Sequence, residues 1–192
     1  MTFFKHLQTN LHQLITSQNY IDFIYVKCYY VNRDRREVLI LNIFYLDRDI
    51  EACAEAHVDR HVVKMITEYN QLLCTAINLN GGEAPYKTTH KNHPCAIWAR
   101  ESKANWEYLK ALTLALCFEY TKRYGRVHAG ESIVKSLSCP ALQDKGWTEP
   151  PQAMPDEYKH SDPVEAYREY YRKGKSHLAN WKNTNQPIWF NN

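Results

Sequence analysis

Ala52–Asn80, ACAEAHVDRHVVKMITEYNQLLCTAINLN, is the longest unbroken helical pattern in the chain, and it decides the fold class. On a 3.6-residue wheel Val58, Val62, Met65, Tyr69, Leu72 and Ala76 form one apolar stripe. His57, His61, Lys64, Glu68 and Gln71 form a polar stripe about a quarter-turn away. A solvated face ordinarily carries Glu/Lys pairs, so two histidines, a lysine and a carboxylate in line beside the core mark the rim of a cleft. His57, Arg60, His61, Lys64 and Glu68 are therefore the candidate catalytic residues. The plainer alternative is that histidines and a lysine at a core border only support the fold.

Upstream, Asp49 is an N-cap for a helix starting near Ile50, and LILNIFYLD (Leu39–Asp47) is a short apolar run of strand-like composition. Downstream, Asn80-Gly81-Gly82 ends the helix, and a polar loop carries Lys87, His90, Lys91 and His93. Pro94 opens a second helix to Glu101, which breaks or bends at Ser102 and continues to Tyr124 before Gly125. This helix is apolar on most sides and so central, and Asn105, Glu119 and Arg123 within it need polar partners. Glu119 and Arg123 are spaced for an i,i+4 ion pair.

A short helix is expected within Val127–Leu137, then a proline-punctuated loop at Ser138–Pro155. Asp162-Pro163 starts a last helix through Lys173, and Trp181 and Trp189 lie in an aromatic C-terminal cover. The pattern predicts a mainly α, single-domain helical bundle over 41–192, with long central helices and little or no sheet. Residues 1–40 have a different character and form an N-terminal extension with no link to the later pattern. Arg35-Arg36-Glu37 is encodable as a ribosome-binding sequence just upstream of Leu41, so we expect an alternative start at Leu41.

No run of about 18 apolar residues exists, so no membrane partner is expected. A net charge of +3 excludes a bulk polycation, and any nucleic-acid contact has to come from local basic patches. The six cysteines are scattered and read as buried thiols of a cytoplasmic protein. Walker, GxGxxG and GxSxG motifs are missing, and Gly is scarce. His57 and His61 have the spacing of paired metal ligands, but Lys64 one turn on would repel a cation, and neither metal nor cofactor is expected.

A phosphate-handling surface fits better. Lys87, Lys91, His93, Arg100, Lys122, Arg123, Arg126 and Arg168 supply positive charge for DNA, much of it at helix ends. Tyr86, Trp98, Tyr167, Tyr170 and Tyr171 are candidates for base stacking. Basic residues late in a helix, such as Lys122 and Arg123, also simply complement the helix dipole.

The words LNIFYLD, HVDRHVVKM, THKNHP with IWAR, EYTKRYG and PPQAMPDEY cover most of 41–192 and resemble a group of uncharacterised phage and bacterial proteins. More distantly, the order of features is similar to the small helical pyrimidine-dimer DNA glycosylases of the endonuclease V type. That resemblance implies an all-helical fold, DNA as substrate, and attack of an amine on the sugar C1′ with a helix glutamate stabilising the Schiff base. Asn42 stands after Leu41 where that family has threonine, and Glu68 comes one turn after the family's glutamate position, which Lys64 occupies. A DNA N-glycosylase/lyase is thus the leading expectation. The alternatives are a non-catalytic DNA-binding protein and a histidine- or metal-dependent hydrolase of a nucleotide or other small molecule.

Overall fold

The structure is a computed structural model that describes residues 41–191. They belong to one compact unit, Ile40–Asn192. The expectations for residues 1–40 lie outside the described residues.

The architecture is mainly α, with six α-helices and no strand among the described residues. They are α1 (Ile50–Ala56), α2 (Asp59–Leu79), α3 (Pro94–Glu101), α4 (Lys103–Tyr124), α5 (Gly130–Ser136) and α6 (Pro163–Glu169). A π-helical turn at Tyr170–Gly174 continues α6. α2 and α4 pack on each other at the centre; α1 lies on α4, while α3 and α5 each touch both central helices. Trp106 of α4 is fully buried against α2 and donates from Nε1 to the Leu73 carbonyl at 3.4 Å.

The caps explain where the helices start and stop. Asp49 accepts from the Ala52 N–H at 2.8 Å and Asp162 from the Val164 N–H at 2.9 Å, each contributing about 1 kcal/mol. His93 caps α3 through Nδ1, which accepts from the Cys95 N–H at 3.2 Å, and Pro94 fills the first turn. α4 ends on Gly125, whose φ of 66° is the left-handed conformation that a Cβ disfavours.

Two sequence expectations are corrected. The helix from Ile50 to Asn80 is not continuous: His57 and Val58 are extended, with ψ of 134° and 153°, and split it into α1 and α2. The break leaves three carbonyls without helical partners. Arg123 donates to those of Glu55 and His57, each at 2.9 Å, and Trp181 Nε1 donates to that of Ala56 at 3.0 Å.

The second correction concerns Leu41–Leu46, which is buried without pairing in a sheet. Side chains satisfy its backbone instead. Phe44 N–H donates to the Tyr69 hydroxyl at 3.0 Å, Leu46 N–H donates to Cys53 Sγ at 3.4 Å, and the Leu46 carbonyl accepts from Arg168 Nε at 2.9 Å. Asn42 is fully buried, donating to the Ala153 carbonyl and accepting from the Tyr167 hydroxyl.

Candidate functional site

The helix break takes His57 off the polar stripe. Its Nδ1 lies 2.7 Å from the Cys53 carbonyl, which only accepts, so Nδ1 carries the proton. Nε2 is buried with no hydrogen-bond partner among the described residues. Burial, reinforced by Arg123, lowers the His57 pKa to about 4. A neutral, enclosed imidazole turned to a carbonyl of α1 belongs to the joint between the helices, and the expected cleft residue is corrected to a structural one.

Asp59 and Arg123 complete that joint. The Arg123 side chain is fully buried and donates to Asp59 Oδ1 at 2.9 Å and to Glu119 Oε1 at 2.7 Å. Asp59 also accepts from Asn180 Nδ2 at 2.7 Å and from the Lys182 N–H. Arg123 was expected to contact DNA, but every donor direction it uses points inward, which removes it from any phosphate.

His61, in the first turn of α2, sits in a different setting. Its ring stacks on Phe44 at 4.2 Å between centroids and 17° between planes, and its Nδ1 lies 2.6 Å from the Tyr171 hydroxyl. Either ring tautomer satisfies that contact, the hydroxyl donating to a bare Nδ1 or accepting from a protonated one. Burial, then His57, Lys64, Lys175 and His177, hold the His61 pKa well below its ordinary value. The imidazole is thus buried between Phe44 and Tyr171, with its charged form disfavoured chiefly by burial.

One turn further along α2, Lys64 Nζ pairs with Glu68 Oε1 at 2.9 Å. Only 12 % of the Glu68 side chain is exposed, and its Oε2 is buried without a hydrogen-bond partner among the described residues. Burial raises the Glu68 pKa against the opposing pull of Lys64 and His90. His90 comes from the loop between α2 and α3 and has a left-handed φ of 48°, which is uncommon for a residue with a Cβ. That loop is tied to α2 by Thr75, whose Oγ1 bonds both the N–H and the carbonyl of Thr89, and by Asn78, which donates to the Tyr86 carbonyl at 2.8 Å.

Of the remaining expected residues, Arg60 is exposed on the first turn of α2. Lys87 and Lys91 are exposed on the loop that follows the far end of α2. His93 caps α3, Arg100 Nη1 donates to the Ala96 carbonyl of its own helix at 2.6 Å, and Arg126 lies over the Tyr120 ring at 5.8 Å. Lys122 is held by Glu55 and Glu119, and Arg168 by the Leu46 carbonyl, Asp47 and Glu165. The structure thus gathers Arg60, His61, Lys64, Glu68, Lys87 and Lys91 along α2 and its adjoining loop, while Lys122, Arg123 and Arg168 are engaged elsewhere.

The stacking candidates are corrected as well. Trp98, Tyr167, Tyr170 and Tyr171 are core residues at 5 % exposure or less, leaving Tyr86 half-buried at the loop. Sequence reasoning missed Lys175 and His177 and the pairing of Tyr171 with His61. The density of Tyr and basic residues in YREYYRKGKSH (167–177) was the available signal, and a contact 110 residues away in the chain carries no local trace.

Among the described residues no group of three or more His, Cys, Asp or Glu side chains is placed to hold a metal ion. His57 and His61 use their Nδ1 atoms on different partners, the Cys53 carbonyl and the Tyr171 hydroxyl. No helix among the described residues is long and apolar enough to cross a membrane. Comparison with protein-family models, with curated proteins and with solved structures finds no match.

Proposed function

We propose that this chain is a DNA-processing enzyme of the glycosylase/lyase type, with DNA lying along α2 and with Lys64 and Glu68 as the reacting pair. The observation that carries the proposal is the 2.9 Å contact between Lys64 Nζ and a Glu68 carboxylate whose other oxygen is buried and unpaired. A lysine needs a nearby base to become a nucleophile, and a desolvated carboxylate of raised pKa is suited to take that proton. In the proposed step Nζ passes a proton to Glu68 and its lone pair forms a bond to the sugar C1′. The C1′–N bond to the base breaks, and the electron pair leaves with the base, which Glu68 protonates in turn. Loss of a second Nζ proton and opening of the sugar ring give the Schiff base.

The surroundings support a polyanion. α2 rises about 21 Å between His61 and Thr75, the length of about six base pairs. Over that length Lys64 lies toward the His61 end, and the loop anchored at Thr75, which carries Lys87, His90 and Lys91, joins the other. The five cysteines of the described residues are free, four of them buried, which supports a cytoplasmic location.

Incubation with damaged and undamaged duplex DNA, with and without borohydride, tests this reading. A borohydride-trapped adduct that Lys64→Arg abolishes is the expected result. Binding without product would reduce the protein to a DNA-binding module, and indifference to DNA would overturn the proposal.

A further inference from the structure

We propose that the outward face of α4, with α1 beside it, is the interface of a twofold-symmetric dimer in which α4 packs antiparallel on α4 of a second copy of this chain. The proposal does not depend on the DNA reading.

α4 is apolar on most sides, as a helix covered all round would be, yet among the described residues one of its faces is left open. Trp106, Leu109, Leu112 and Leu116 point inward and are fully buried. On the opposite side Ala111, Leu114 and Ala115 are only partly buried, and Phe118 is 72 % exposed. With Ala54 of α1 these residues line a groove of about 920 Å³, whose rim carries Glu51, Glu55 and Lys122. A phenylalanine so exposed is costly in water, and it stands beside alanines small enough to receive one.

What fits this groove is a second α4. A twofold contact requires a surface complementary to itself, because each pairing occurs once in each direction. Between Glu107 and Lys122 the chain meets that condition when two copies run antiparallel. Phe118 of one copy then lies opposite Ala111 of the other, Glu107 lies opposite Lys122, and Leu114 and Ala115 of both copies meet at the axis. Glu107, Ala111, Leu114 and Phe118 recur at spacings of four, three and four, so they share one side of the helix.

Large therefore meets small, and acid meets base, at matching levels of the two helices. The alanines let the backbones approach closely enough for Phe118 to enter the partner's groove. Lys122 already carries Glu55 and Glu119, so the exposed Glu107 of the second copy contributes register more than strength. A parallel pairing would instead set Glu107 on Glu107 and Phe118 on Phe118, with the alanines left unfilled.

The test is sedimentation equilibrium of the full chain from about 1 to 200 µM. A monomer–dimer equilibrium is expected. Phe118→Arg changes an exposed position, so its thermal melt by circular dichroism should match that of the parent, while association weakens about a hundredfold or more. Disulfide trapping reads the register independently, in a chain carrying Cys28→Ser and Cys139→Ser, whose remaining native thiols are buried. Ala115→Cys should link to its own counterpart under air oxidation. Glu107→Cys should not, because the two copies of that position stand about 22 Å apart in this register.

A chain that stays monomeric throughout that range would overturn the proposal and leave the groove to a helix of another protein. A dimer that Phe118→Arg does not weaken would place the interface on another face. Linkage through Glu107→Cys without linkage through Ala115→Cys would exclude the antiparallel seam, and the proposal would fall with it.

Discussion

Arg123 of α4 reaches Asp59 in the first turn of α2 at 2.9 Å, bridging the break that separates α2 from α1. The same guanidinium takes two of the carbonyls that the break releases. A charge buried with this many partners is costly to remove singly, because Asp59 and Glu119 would remain desolvated without it. Arg123→Met should therefore lower unfolding free energy by about 3–5 kcal/mol in urea denaturation. A loss below about 1 kcal/mol would mean that the joint is held by something else.

The joint also makes stability depend on pH. His57 is neutral when folded, with a pKa of about 4 against an ordinary 6.5, so the unfolded chain binds more protons between those values. Its contribution is complete above pH 6.5 and is lost as pH falls toward 4. The loss amounts to about 3 kcal/mol at 1.4 kcal/mol per pH unit. His61, lowered in the same direction, adds to the effect. Denaturation from pH 7 to 4 should show this slope, and His57→Leu should flatten it; an equally steep variant would exclude His57 as the source.

Glu68 is expected to separate activity from stability. Glu68→Gln keeps the shape and a partner for Lys64, and should change unfolding free energy by no more than about 1 kcal/mol while abolishing base release. Parallel loss of both would show that the stripe only supports the fold.

Salt dependence distinguishes exposed cations from engaged ones. Lys87→Gln and Lys91→Gln should each reduce the slope of log K against log salt for DNA binding by about one. Arg168→Gln should leave the slope unchanged, since its guanidinium already serves the Leu46 carbonyl, Asp47 and Glu165, and should cost stability instead. A slope change for Arg168 and none for the loop lysines would reverse the assignment of the surface.

Gly130 marks a close approach between α5 and α2. A Cβ there would sit 2.9 Å from both Asn70 Nδ2 and Ile66 Cγ2, and Asn70 also donates to the Gly130 carbonyl at 2.9 Å. Gly130→Ala should destabilise by about 1–3 kcal/mol, because two packed side chains have to move. A melting temperature equal to that of the parent protein would show that α5 shifts freely.

Local chemistry in the sequence determined the mainly α class, the start of α3 at Pro94, the break at Ser102, the end of α4 at Gly125 and the caps Asp49 and Asp162. These features depend on neighbours within one or two turns, so helical period, proline and capping side chains declare them. Asn105 was recognisable as a buried amide in need of partners, yet its partner Thr148 lies across the core. Tertiary structure alone decided the break at His57–Val58, because helical periodicity runs straight through it and the compensating donors, Arg123 and Trp181, are distant in the chain. It also decided that His57 and His61, four residues apart, have different environments, one sealed at a joint and the other stacked on Phe44 and bonded to Tyr171. The physical reason is the same in both cases. Spacing determines which side chains share a face, whereas burial, proton position and charge are set by what the rest of the chain packs against that face.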